Sequence, residues 1–120
     1  MIPKCKEIKE IRNVEIITNY VYDSDFAYSC FKFGKLVVLN IYTIAFKKPI
    51  DTGIVFMTGL PKPTNYVIFY MQGGNDATGY TARCGITTEG GMSMHYSTPI
   101  QYGDSSNKQY SCTLVYKTID

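Results

Sequence analysis

His95 is the only histidine in the chain, and histidine is the side chain most often used for proton transfer near neutral pH. No Ser-His-Asp or Cys-His arrangement is indicated by spacing, although such sets can assemble from distant residues. On a strand, His95 has the opposite phase to Met94 and Tyr96 and so points away from them. We expect a surface or partly packed strand histidine. The alternative is a metal-binding cluster of His95 side chains, formed where three copies of the chain meet on a symmetry axis.

The carboxylates are scattered, and no spacing among them indicates an active site. A glycosidase needs two carboxylates, which normally come from distant parts of a sequence. The acidic residues to consider are Asp23, Asp25, Asp51, Asp76, Glu89 and Asp104. The calcium-loop pattern D-x-D-x-D-G is absent, so the two aspartates of the 23–25 turn are expected to cap that turn. We therefore predict no enzyme activity and no cofactor.

The cysteines show no pattern that would hold a metal. There are four, Cys5, Cys30, Cys84 and Cys112, and none forms a C-x-x-C pair of the zinc or thioredoxin type. Without a secretory signal, reduced thiols are the default. The last three fall in predicted strands, where a thiol packs as a small apolar group. We predict neither a metal site nor a disulfide framework.

Two polar loops, at 72–80 and 97–110, carry tyrosines beside amide, hydroxyl and carboxylate groups. An aromatic ring can cover the apolar C–H face of a sugar while polar neighbours bind its hydroxyls. The alternative is ordinary loop composition with tyrosines that pack. The candidate ligand-binding residues are Asn75, Asp76, Tyr80, His95, Tyr96, Tyr102, Asp104 and Asn107.

These loops are expected to be positioned by strands, since from residue 14 onward the apolar pattern has a period near two. About eight short strands are separated by turn signals, and the Glu89-Gly90-Gly91 segment is a strong hairpin signal. The predicted strands are 14–21, 26–33, 36–46, 53–57, 66–72, 80–88, 92–97 and 110–118. The sequence predicts an all-β, antiparallel, jelly-roll-like β-sandwich at 14–120, preceded by a short arm or helix at 1–13.

The longest predicted strand, 36–46, is apolar on both sides. One side carries Leu36, Val38, Asn40, Tyr42, Ile44 and Phe46, and the other carries Val37, Leu39, Ile41, Thr43 and Ala45. A strand of this kind is normally central and covered on both faces. We expect the opposite sheet to cover one side and a neighbouring subunit to cover the other.

Charge and hydropathy narrow the classes of partner. The net charge is +2 and charged residues make up 18% of the chain, below the typical value of about 25%. Lysines and arginines form no basic stripe, which argues against nucleic-acid binding. No apolar run is long enough to span a membrane, and the first residues have no signal-peptide core.

Four stretches together carry a resemblance to a known family. Residues 28–39 (YSCFKFGKLVVL) are similar to its strand, glycine turn and long apolar strand. Residues 57–63 (MTGLPKP) are similar to its Leu-Pro segment, two residues shorter between the prolines. Residues 82–94 look like its recurring glycine hairpin, and 110–116 (YSCTLVY) look like its closing strand. The family comprises the C-terminal domains of phage and prophage tail fibres and of baseplate receptor-binding proteins.

The resemblance implies a homotrimeric, non-enzymatic head domain in the virion tail that binds a host-surface glycan or teichoic acid. Such a chain would be made in the bacterial cytoplasm. The usual fibre stalk has no counterpart here, and no binding residue of the family can be assigned to a position because its loops vary. Two alternatives stay open. One is a structural tail-assembly or capping protein without a ligand, and the other is a small carbohydrate-active enzyme.

Overall fold

A computed structural model describes residues 8–73, 79–95, 100–103 and 108–120. Within these ranges the chain forms nine strands and one 3-10 turn, Asp23–Asp25. The strands are β1 (Ile8–Glu10), β2 (Glu15–Ile16), β3 (Ala27–Phe33), β4 (Leu36–Ile44), β5 (Val55–Thr58), β6 (Val67–Gly73), β7 (Tyr80–Ile86), β8 (Met92–Met94) and β9 (Tyr110–Lys117). The strand period in the sequence therefore predicted most elements to within a few residues. The exception is the predicted strand 14–21, of which only β2 and a single bridge from Val21 to Phe46 are formed.

The strands form one antiparallel sheet in the order β1-β3-β4-β9-β6-β7-β8-β5-β2, which curls into a half-barrel. The all-β, antiparallel prediction is confirmed, whereas the sequence predicted the two separate sheets of a sandwich. The difference lies at one short ladder. β9 pairs with β6 only at Ser111–Gln72 and Tyr110–Gly73, and these two pairs join what would otherwise be two sheets.

β4 lies in the middle of one half of the sheet and has a buried and an open face. Its inner residues, Val37, Leu39 and Ile41, are buried in the core. On the outer face Leu36 and Tyr42 are 46% and 61% exposed. We predicted that both faces of β4 would be covered. Within this chain the core covers the inner face only, and the expected contact with a neighbouring subunit would have to cover the outer face.

A bulge in β4 also changes the predicted faces. Pairing with β9 shifts between Ile41 and Ile44, so the strict alternation of side chains is interrupted. As a result Ile44 and Phe46, which the sequence assigned to the same side as Leu36, are fully buried. An unpaired extra residue leaves no signal in an apolar run, which explains why the period alone did not show the bulge.

The core is mainly aliphatic and also contains a cluster of aromatic rings and two thiols. The Phe46 ring meets the edge of Phe56 at a centroid distance of 5.1 Å and lies 5.6 Å from Tyr110. Cys30 and Cys84 are free and buried among them, as the sequence predicted. Burial raises the pKa of the Cys30 thiol to about 11 and that of Tyr110 to about 12, because an apolar environment disfavours the charged forms.

The first described residues form an arm that bridges the two edges of the sheet. β1 pairs with β3 at one edge and β2 pairs with β5 at the other. Further main-chain bonds run from Ile11 N to Cys30 O at 2.8 Å and from Ile17 N to Phe56 O at 2.9 Å. Residues 8–13 are therefore an extended arm, one of the two conformations that the sequence allowed. The arm and β2 together run from one edge of the half-barrel to the other and cover the edges of β3 and β5, which would otherwise be open.

Candidate functional site

The outer face of β6, β7 and the end of β8 brings aromatic and hydrogen-bonding side chains together. Tyr70 is paired with Arg83 across β6 and β7. His95, just beyond β8, donates its main-chain N–H to Arg83 O at 2.9 Å. Side chains opposite one another in a sheet share a face. We call Tyr66, Tyr70, Arg83, Ser93 and His95 the outer-face site.

Tyr66 is held at this face by a glycine and two hydrogen bonds. Its ring lies over Gly85, in the space that a side chain there would occupy. The Tyr66 hydroxyl lies 3.2 Å from Ser93 Oγ and 3.4 Å from His95 Nδ1. The rings of Tyr66 and His95 have centroids 5.5 Å apart and are tilted by 49°. The glycine therefore lets a large ring lie flat on the sheet beside the histidine.

Ser93 is the buried member of this site. Its side chain is 2% exposed, and Tyr66 is the one described partner of its hydroxyl. A buried hydroxyl without a partner would cost about 1–3 kcal/mol, so the bond to Tyr66 is what allows Ser93 to be buried here. The phenol oxygen can both donate and accept, and it therefore links Ser93 to His95.

Arg83 lies between Tyr70 and His95 without a counter-ion among the described residues. Its guanidinium carbon is 6.0 Å from the centre of the Tyr70 ring. The Nε atom is buried and has no hydrogen-bond partner in the described part of the chain. The one ion pair within those ranges is Arg12–Glu10, at 3.0 Å on the surface. A half-buried cation with an unpaired N–H is costly and marks a position where a partner would be favourable.

A polar row continues from this site across the middle of the sheet. Gln72 lies two residues from Tyr70 on the same face and pairs with Ser111 of β9. On β9 and β4, Thr113 Oγ1 donates to Asn40 Oδ1 at 2.6 Å. Asn40 Nδ2 in turn donates to Ser29 Oγ at 3.4 Å. A shallow pocket of about 340 Å³ lies along this row, so an extended ligand would find hydrogen-bonding groups beyond the outer-face site.

Three of the residues predicted from the loops can be located. His95 lies in the outer-face site and points away from the buried Met94, as its phase predicted. Tyr80 lies on the opposite, inner side, where its ring packs against Tyr110 at 4.8 Å. Tyr102 is 50% exposed in the segment before β9. The other predicted residues, Asn75, Asp76, Tyr96, Asp104 and Asn107, lie outside the described residues.

Sequence reasoning placed the ligand in the loops and passed over Tyr66, Tyr70 and Arg83. A signal for the two tyrosines was present in β6. Tyr66, Ile68 and Tyr70 alternate with apolar residues that belong to the opposite face of the strand. If the apolar face packs against the core, the two tyrosines must lie on the outer face. Arg83 gave no comparable signal, because its place beside Tyr70 depends on the register of β7 against β6.

A second depression, which we call the seam cleft, lies where the arm meets the rest of the sheet. It encloses about 500 Å³ and is lined partly by Lys9, Lys32 and Lys62. The ammonium group of Lys32 donates to the main-chain oxygen of Asp120 at 2.7 Å. This bond ties β3 to the segment after β9, and the cleft is therefore a structural junction of three parts of the chain.

The described ranges contain neither a cluster of metal ligands nor a membrane-spanning helix. No group of three or more His, Cys, Asp or Glu side chains in those ranges could hold a metal ion. No helix in the same ranges is long and apolar enough to cross a membrane.

The Cys112 thiol has its pKa raised to about 11 by burial, which keeps it protonated and unreactive near neutral pH.

No protein-family model, curated protein or solved structure matches the chain. The class defined by the fold is thus an all-β domain built on one curled antiparallel sheet.

Proposed function

We propose that this chain is a non-enzymatic, tail-fibre-like head domain that binds a host cell-surface carbohydrate through the outer-face site. The observation that carries the proposal is the pair of tyrosine rings, Tyr66 and Tyr70, which lie on the open face of a sheet beside Arg83, Ser93 and His95. Exposed rings next to hydrogen-bonding groups suit the two kinds of surface that a sugar ring presents.

The backbone under the site supports binding, because its strands are continuously paired. β6 and β7 pair over seven residues, from Val67–Ile86 to Gly73–Tyr80. Side chains on such strands keep their geometry without a ligand, which lowers the entropic cost of association. The inner face of the same strands is anchored in the core by Met71, Cys84 and Ile86.

The proposal includes assembly as a homotrimer through a second part of the outer face, which we call the apolar patch. It consists of Ile8, Phe33, Leu36, Val38 and Val115. Phe33 pairs with Ile8 on one neighbouring strand and with Leu36 on the other, and Val38 pairs with Val115. Four of the five are more than one third exposed. Contiguous exposed apolar side chains on adjacent strands are typical of protein interfaces.

Trimerisation would raise the strength of binding. Each copy would carry one outer-face site, and a cell surface offers many identical glycans. Several weak contacts made at once increase the overall affinity by orders of magnitude without any new interaction. Light scattering at micromolar concentration should therefore give the mass of three chains. A chain that stays monomeric at that concentration would contradict the assembly.

The carbohydrate proposal is tested by glycan-array binding of two matched tyrosine variants. Tyr70 and Tyr102 are 57% and 50% exposed, and neither ring lies in the core. We expect Tyr70→Ala to lose binding by tenfold or more, since truncating a tyrosine at the centre of a binding site typically costs about 2 kcal/mol or more, and Tyr102→Ala to bind as the unaltered protein does. Loss of binding in Tyr102→Ala alone would place the ligand in the loop. Absence of binding to any glycan would favour an assembly protein without a ligand.

A further inference from the structure

Among the described residues, no acidic side chain flanks Arg83 on the outer face. Its cross-strand neighbours are Tyr70 on β6 and His95 beyond β8. The next outward positions along β7 are Thr81 and Gly85, and the Tyr66 ring lies over the latter. No carboxylate among the described residues forms an ion pair with the guanidinium. The site therefore presents a positive charge that this part of the chain does not neutralise.

The groups around this charge can donate hydrogen bonds. The Tyr66 hydroxyl lies 3.2 Å from Ser93 Oγ and 3.4 Å from His95 Nδ1, in a cluster of hydroxyl and imidazole groups. The Tyr70 hydroxyl makes no hydrogen bond to another described residue, and its ring lies 6.0 Å from the guanidinium carbon. Arginine offers a planar set of N–H groups that fits two oxygens of one anion. An oxyanion would engage both the charge and these donors.

We propose that the ligand of the outer-face site is an acidic glycan, and that Arg83 binds its anionic group. This inference rests on the proposed function and adds the chemical class of the ligand. Carboxylate, sulfate and phosphate substituents share the required chemistry, a compact group of negatively charged oxygens. His95 and the tyrosines supply further hydrogen bonds and a stacking surface for the sugar ring that carries the anion.

The test is a glycan array that carries uronate, sialylated, sulfated and phosphorylated glycans beside their neutral counterparts. The full chain is applied with Arg83→Gln, Arg83→Lys and Arg12→Gln. Arg12→Gln removes the same charge at a side chain that is 81% exposed and paired with Glu10, and it is the matched control. Circular dichroism of each variant establishes that the sheet is retained.

We expect binding to be confined to acidic glycans and to be weakened tenfold or more in Arg83→Gln, since bonds between ionised groups are the stronger class of hydrogen bond. Arg83→Lys should keep part of the affinity, and Arg12→Gln should keep all of it. The kind of acidic glycan that binds identifies the anion.

Two results separate this inference from the function on which it rests. If neutral glycans bind as tightly as acidic ones and Arg83→Gln has no effect, the acidic-ligand inference is wrong and carbohydrate binding stands. If no glycan of either kind binds, both are wrong. If circular dichroism shows that Arg83→Gln has lost the sheet, Arg83→Lys is used as the test variant. The inference is then overturned if Arg83→Lys binds acidic and neutral glycans as tightly as the unaltered protein does.

Discussion

The backbone of Gly59 lies directly against the main-chain oxygen of Asn13, so that a side chain at this glycine would collide with the arm. Gly59 also has a φ of +87°, a conformation that other residues adopt only at a cost. Since the arm bridges the two edges of the sheet, this single contact couples the arm to the segment after β5. The position of the arm thus depends on a residue without a Cβ atom.

Gly59→Ala should lower the free energy of unfolding more than Gly53→Ala does. Both glycines have a left-handed φ, but a Cβ at Gly53 would meet nothing within 4 Å. The conformational cost is about 1–2 kcal/mol for each, and displacing the arm should add about 1–3 kcal/mol at Gly59. Urea unfolding of the two variants measures the difference. Equal losses would mean that the arm contributes little to stability.

Gly85→Ala should displace the Tyr66 ring from the outer-face site. The added methyl group would occupy the position of the phenol ring, so Tyr66 must rotate away from Ser93 and His95. The chemical shifts of the His95 ring protons, which are set partly by the adjacent aromatic ring, should move towards those of an exposed histidine. Glycan binding should fall in parallel.

Tyr66→Phe is the control for this substitution, because it retains the ring and removes the hydroxyl. It should leave the ring-current shift at His95 largely in place while breaking the bonds to Ser93 and His95. His95 shifts that stay unchanged in Gly85→Ala would contradict the placement of Tyr66.

The strands were predictable because the period of their apolar residues is strong. The pairing of β6 with β9, which unites the two halves of the sheet, was not predictable. Residues 66–72 and 110–118 were each predicted as strands, and they form β6 and β9. Nothing in either segment indicates that the two strands pair at only two positions. Pairing between segments about forty residues apart depends on the packing of the whole core, so a two-sheet sandwich and one curled sheet fit the same pattern.

The candidate site combines residue types that the sequence singled out with positions that it did not. Tyrosines beside polar groups were interpreted as suited to sugars, which stays a prediction, and His95 was among the residues named with them. Loop composition drew the prediction towards 72–80 and 97–110, whereas the described cluster lies on paired strands. Arg83 and Gly85 acquire their roles from register alone, since one faces Tyr70 and the other makes room for Tyr66. A single sequence does not specify register at that resolution.

Leu39→Ala should lower the stability of the single chain, whereas Leu36→Glu should prevent the assembly of chains. Leu39 is fully buried, so its truncation should cost about 2–5 kcal/mol. Leu36 lies in the apolar patch, and a charge there should abolish the proposed trimer with little effect on the fold of the single chain. Light scattering and thermal unfolding separate the two outcomes.

Thr52→Glu adds the same charge at an exposed turn outside the patch and should leave the mass unchanged. A trimer that survives Leu36→Glu would show that the apolar patch is not the contact between copies.

Alkaline conditions should unfold the protein through its buried thiols and phenols. The pKa of Cys30 is raised from 9.0 to about 11 and that of Cys112 likewise to about 11, and burial raises the pKa of Cys84 and Tyr116 further. The unfolded chain therefore releases these protons first. Stability should be fully present below about pH 9 and fall as the pH rises through the folded-state values, by up to about 1.4 kcal/mol per pH unit for each group.

Urea unfolding at a series of pH values from 7 to 11 measures this slope in a chain carrying Cys5→Ser, and the additional variant Cys112→Ala should make it shallower. At pH 8 the thiols of Cys30 and Cys84 should react with a thiol reagent only as fast as the protein unfolds, because both are buried and their thiolates are suppressed in the folded state. Rapid labelling of these two thiols under native conditions, or stability that stays constant up to pH 11, would contradict their burial in the core.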